Sequence, residues 1–119
     1  MVDIKKIIAS FKFAFAGIRV IFKEEHPFRI MFFIAILVTI AMFYFDLPLT
    51  QKAIIFLIIM FVLILELLNS VIENFLDFIH PEENHRIKKI KDVLAGMVLV
   101  ASIGAAVIGI LLFWPYIFN

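Results

Sequence analysis

Residues 53–72 read AIIFLIIMFVLILELLNSVI, twenty residues in a row with one charge, Glu66. A helix crossing the roughly 30 Å hydrocarbon layer needs about 20 residues of this kind. Two other stretches repeat the pattern. Residues 30–45 are sixteen uncharged residues, extended by Leu47 beyond Asp46, and residues 93–118 are twenty-six without a charge. Bilayer physics leaves helices as the form of all three, because unpaired backbone is costly in lipid and three such runs cannot close a barrel. The composition agrees. Of 119 residues, 65% are hydrophobic and 18% charged, against roughly 45–50% and 25% in a soluble globular domain. A small soluble domain exposes too much of its surface to hide that apolar load, which argues against a soluble enzyme, a disordered tail or a nucleic-acid binder. With no cysteine, there is no disulfide framework, thiolate metal site or cysteine nucleophile to consider.

The net charge of +1 says little, but its distribution sets an orientation. Lys5, Lys6, Lys12, Arg19, Lys23 and Arg29 precede the first span, and Arg86, Lys88, Lys89 and Lys91 lie between the second and third. Only Lys52 falls between the first and second. The expectation is a cytoplasmic N-terminus and an external C-terminus. Basic residues scattered over residues 1–29 leave no apolar core for a cleavable signal. Within residues 3–25, Ile4, Ile7, Ile8, Phe11, Phe15, Ile18 and Phe22 recur at helical spacing, with Lys5, Lys12, Arg19 and Lys23 on another face. This predicts a basic amphipathic helix lying on the cytoplasmic leaflet, held by apolar burial and anionic lipid. Pro27 predicts a bend before the first span. The architecture expected is therefore an all-α membrane protein of one domain, residues 1–119, with an interfacial helix and spans at about 28–47, 52–73 and 93–118. Ala101, Ala105 and Gly109, at four-residue spacing, are read as packing positions where helices approach closely in lipid. Asp46, Pro48 and Thr50 mark a short external turn.

A polar stripe on the second span requires a different explanation. On a helix at 100° per residue, Glu66, Glu73 and Asp77 fall within about 40° of one another, with Asn69 and Ser70 beside them. Glu66 follows Ala53 by thirteen residues, about 20 Å of helix, which places it inside the hydrocarbon toward the cytoplasmic boundary. An acidic side chain at the bilayer centre costs roughly 2.5–3.5 kcal/mol on insertion scales, and such residues are functional candidates by default. A structural reading makes Glu66 a hydrogen-bonding group that sets helix register. A catalytic one makes the deeper carboxylate a base toward a lipid hydroxyl and leaves the shallower one to hold a hard cation such as Mg²⁺. Glu24 and Glu25 before the first span, and Lys91 and Asp92 before the third, lie on the same side of the membrane. They could complete a metal site or neutralise a phosphate. No Walker loop or protein-kinase motif set is present, so a soluble nucleotide-binding fold is excluded. The alternative is a non-catalytic three-span assembly or transport subunit whose stripe lines a pore. It requires polar residues along the whole span, whereas residues 53–65 are wholly apolar.

At these residues the sequence resembles the membrane-integral prokaryotic diacylglycerol kinases, a family that includes the undecaprenol kinases. The resemblance covers nearly the whole chain and rests on E-x-x-F-R at Glu25 to Arg29, E-L-L-N-S-x-I-E at Glu66 to Glu73, Asp77, and IKDVLAGMVLV at residues 90–100. It implies an ATP- and Mg²⁺-dependent phosphotransferase of lipid metabolism, active on diacylglycerol or undecaprenol in the bacterial plasma membrane. By the same resemblance, Glu66 is the catalytic base and Glu25 and Glu73 hold the nucleotide's divalent metal. Lys91 and Asp92 contact the ATP phosphates, and Asn69 is a polar partner beside the base. Arg29 is placed with the lipid substrate, and Lys6, Glu82 and Glu83 with ATP. Similar enzymes are homotrimers with shared active sites, an arrangement that would let Glu25 meet Glu73 of another chain. Three positions depart from the family pattern. Lys6 stands where a member can have Arg, Phe13 where some have Tyr, and Asn84 where His is frequent, with His85 displaced by one. The ending and the AGMVLV block lean toward the undecaprenol kinase branch.

Overall fold

The structure is a computed structural model that describes residues 1–82 and 84–118. Four helices follow in order, α1 (Ile4–Glu24), α2 (His26–Tyr44), α3 (Leu49–Ile79) and α4 (His85–Ile117), and the described residues contain no strand. The last three are long and apolar enough to span a bilayer. α3 packs against both α2 and α4, while α1 touches mainly α2. The chain thus reverses twice. The α2–α3 turn is at one end of the bundle, and the elbow before α2 and the α3–α4 connection are at the other.

α1 starts where Asp3 caps it, its carboxylate accepting from the backbone N–H of Lys5 and Lys6 at 3.1 and 3.4 Å. No residue of α1 is buried. Ile4, Ile7, Ile8, Phe11, Phe15 and Ile18 all stand exposed, as an apolar face meant for lipid requires. The bend expected from Pro27 is present. Glu25 is extended (φ −108°, ψ 100°) and belongs to neither helix, with Pro27 in the first turn of α2. Arg29 fixes this elbow. Its Nη1 donates to the carbonyls of Phe22 and Lys23 at 3.0 and 3.2 Å, a cation on the free carbonyls of α1's last turn. Phe22 also meets Phe28 and Phe32 edge-on, with ring centroids 5.2 and 4.8 Å apart.

The helix bounds differ from the spans read by hydropathy. α2 stops at Tyr44, and Leu47, counted within the first span, folds back under it. Asp46 takes a positive φ of 51°. The backbone N–H of Asp46 reaches Phe43 O at 3.2 Å and that of Leu47 reaches Met42 O at 3.1 Å, the paired hydrogen bonds of a Schellman turn. Leu47, 1% exposed, packs with Met42 and Ile55 and is surrounded by residues such as Phe45, Phe113 and Tyr116. Hydropathy sees only that Leu47 is apolar; the left-handed Asp46 decides that it plugs the turn instead of extending the helix. At the opposite end, α3 and α4 continue past the expected spans. Thirty-one and thirty-three residues give lengths of about 46 and 50 Å, well beyond the roughly 30 Å hydrocarbon layer. Residues 74–79 and 85–92 therefore form an overhang that carries six of the nine charged residues of α3 and α4.

Two of the small residues of α4, Ala105 and Gly109, face open space within the chain. A Cβ added at Gly109 would meet nothing within 4 Å. Both line an open groove of about 960 Å³ between α2 and α4, floored by Ile59 and Leu63 of α3.

Candidate active site

α2 runs back about 28 Å from the turn, which returns its first residues to the level of residues 66–74 on antiparallel α3. The elbow residue Glu25 consequently meets the polar stripe. Asn74 Nδ2 donates to Glu25 Oε1 across a long 3.4 Å, and the Glu25 charge acts on both Glu66 and Glu73. The structure thus brings Glu25, Glu66 and Glu73 together within one chain. Asn74 was not singled out from the sequence. Its only signal there is its place directly after Glu73.

Glu66 is 4% exposed and Asn69 8%, with Ser70 buried beside them. Glu66 forms no hydrogen bond with any described residue. The Asn69 Oδ1 is buried without a partner. Leaving a buried polar atom unpaired costs roughly 1–3 kcal/mol, so the Asn69 acceptor, a single helical turn from the unbonded Glu66, marks a place built to meet something else. The other orphaned buried acceptor among the described residues, Gln51 Oε1, is in the first turn of α3, at the opposite end of the bundle. Glu73, half-buried, lies two turns farther toward the overhang, within electrostatic reach of Glu25, Asp77 and Lys91.

Past Glu73 the stripe meets α4. Lys91 Nζ ion-pairs with Asp77 Oδ1 across the two helices. Asp92 is turned to a different task, pairing with Lys88 at 3.0 Å along the exposed surface of α4. Asn84 is the N-cap of α4: its Oδ1 accepts from Ile87 N at 2.8 Å and its Nδ2 meets His80 Nε2 at 3.2 Å. His85 opens the helix and is exposed. Glu82 is exposed, and its carbonyl is engaged by the His80 ring. Glu83 lies outside the described residues. Arg29 has its guanidinium committed to the α1 carbonyls and to His26 Nδ1. Lys6 sits in the first turn of α1, nineteen residues and about 28 Å of helix from Glu25, so a single chain does not bring it to the carboxylates.

Among the described residues no three His, Asp or Glu side chains converge as a ready metal cage. Glu25 and Glu73, near enough for the charge of one to act on the other, are the two carboxylates that could hold a divalent cation. That suits Mg²⁺, which keeps its waters, takes one or two carboxylates and finds its remaining oxygens on substrate phosphates. It suits Ca²⁺, with six to eight oxygen ligands, poorly.

These features define a class: a multi-pass helical membrane protein with a cluster of acidic side chains toward one end of its bundle. Comparison with known proteins narrows it. Residues 12–113 match the prokaryotic diacylglycerol kinase family, and the chain belongs to that family. It is 36% identical over 110 residues to a diacylglycerol kinase of Synechocystis, covering 92% of this chain and 63% of that protein, so it spans somewhat less than two thirds of that relative's length. It is 34% identical over 113 residues to an undecaprenol kinase of Bacillus subtilis, covering 95% of this chain and 92% of that protein.

Proposed function

We propose that the protein is an ATP-dependent lipid kinase that transfers the γ-phosphate to the hydroxyl of a membrane lipid, diacylglycerol or undecaprenol. The observation that carries this reading is the buried, unbonded Glu66 at the inner end of an acidic stripe that stops halfway through the bilayer. A pore lining would continue; a site for one reaction at one interface need not.

In this reading the lipid hydroxyl enters beside Glu66 and Asn69. Asn69 orients the alcohol by donating from its side-chain amide N–H to the hydroxyl oxygen, which leaves the hydroxyl proton to Glu66 as the oxygen attacks the γ-phosphorus. The O–P bond to the lipid forms as the bond to ADP breaks, and ADP leaves with the bridging oxygen. Phosphoryl transfer asks little covalent chemistry of a protein, so positioning and charge neutralisation do most of the work. Lys91, held at the mouth of the stripe, meets the phosphates. Glu25 and Glu73 would hold the nucleotide's Mg²⁺, which when bound offsets phosphate charge. Arg29 keeps the elbow shaped so that Glu25 faces α3 and the lipid-facing side of α2 is presented to the substrate. Lys6, Glu82 and Asp92, remote from the carboxylates or otherwise paired in one chain, are assigned to nucleotide contacts in a homotrimer with shared sites. The N-terminus and the overhang face the cytoplasm of a bacterial cell, where ATP is found.

The test is phosphate transfer from labelled ATP to diacylglycerol and to undecaprenol in mixed micelles, with and without Mg²⁺. Transfer to either lipid that requires Mg²⁺ supports the reading. No transfer to any lipid alcohol overturns it.

A further inference from the structure

Outside the carboxylate cluster, the ion pair between Asp77 and Lys91 is the only described one that joins two of the long helices in the overhang. Asp77 is the third-last residue of α3 and Lys91 the seventh residue of α4. The two side chains are 59% and 34% exposed. An ion pair that open to water contributes little to stability, so holding the helices together is a poor account of it. Its effect on Lys91 is more specific. A lysine ammonium rides on a flexible four-carbon stem and loses much rotamer freedom when it must occupy one place. Paired with Asp77, Lys91 is retained over the acidic line, where its charge also acts on Glu73.

We propose that Asp77 is a positioning residue for the transfer reaction: it anchors Lys91 Nζ beside Glu73, so that the ammonium already stands where the phosphates arrive. The inference rests on the kinase reading above and adds to it a residue with no contact of its own to nucleotide or lipid. The pairing also explains why the polar stripe continues to a fifth residue, a turn beyond the last carboxylate needed for metal or proton.

The full chain in mixed micelles tests this with Asp77→Asn, Asp77→Glu and Lys91→Ala beside the wild type. Misplacing a positioned group by an ångström costs up to two orders of magnitude, so Asp77→Asn should raise the KM for ATP on the order of tenfold or more, with the lipid KM unchanged. Its melting temperature should match the wild type, because the pair is exposed. Asp77→Glu, which keeps the charge, should recover most of the loss. The rise in melting temperature produced by saturating ATP gives a second measure of affinity that needs no turnover. It should shrink in Asp77→Asn. An unchanged or lowered KM for ATP in Asp77→Asn would overturn the proposal, as would a loss that tracks a fall in melting temperature and is not relieved by Asp77→Glu. If Lys91→Ala is impaired while Asp77→Asn is normal, positioning fails and the kinase reading stands. If the wild type transfers no phosphate, the kinase reading itself fails.

Discussion

The two ends of the helical bundle solve opposite problems. At the α2–α3 turn, Leu47, Met42 and Ile55 are buried against aromatic and aliphatic neighbours, and the backbone closes on itself through the hydrogen bonds of Asp46 and Leu47. At the other end Glu66, Asn69 and Ser70 are buried alongside Phe28 and Leu76, and Glu66 and Asn69 Oδ1 have nothing described to bond to. Without a hydrophobic force between helices in lipid, association depends on close packing and internal hydrogen bonds. The turn end has both, with Gln51 Oε1 its one unpaired buried acceptor among the described residues, whereas the polar end sets a carboxylate among its buried side chains. The difference teaches where substitutions should be felt as lost folding and where as lost chemistry.

The sharpest way to break that division is Glu66→Gln. It keeps shape and burial while removing the base, so phosphate transfer should fall by about 10²–10⁴-fold with the ATP-induced rise in melting temperature retained. Full turnover would remove Glu66 from the reaction. Glu73→Gln should act more narrowly, weakening metal-nucleotide affinity about 10–100-fold, read as a higher Mg²⁺ concentration at half-maximal rate. An unshifted Mg²⁺ titration would take Glu73 out of the metal site. At the other end, Leu47→Ala should cost about 2 kcal/mol of stability, near the lower bound for core truncations because lipid also solvates apolar atoms. Reversible unfolding in mixed micelles measures this, and activity per folded molecule should stay at the wild-type value. Least of all, Lys88→Ala should change stability by under about 1 kcal/mol, the range of exposed helix pairs, and leave the rate alone. A marked loss of rate there would mean that Asp92 needs its partner for catalysis.

Much of this contrast was legible in the sequence because it is local. Hydropathy over residues 53–72 and 93–118 announces the spans, helical periodicity aligns Glu66, Asn69, Glu73 and Asp77 on one face, and Pro27 announces the elbow. What escaped was set by relations between helices. The partnership of Asp77 with Lys91 and the approach of Asn74 to Glu25 depend on how far one helix is rotated against the next, which no single-helix period encodes. Arg29 carries an interfacial charge in any sequence reading; only the fold shows that it serves as a cap for α1. The first span was overrun by three residues because hydropathy is blind to a left-handed backbone at Asp46. The helices also outlast the hydrocarbon, since charged residues such as Arg86 and Lys88 are good helix formers and α4 does not end where lipid does.

The overhang of α3 and α4 decides what kind of encounter the molecule can host. One reactant wanders in the plane of a leaflet and the other through the volume of the cell, and the only place both can be caught is a ledge standing in both phases at once. A reaction run there leaves the greasy part of its product where it started and adds charge only to the end already near water. No headgroup has to be flipped or carried across the bilayer.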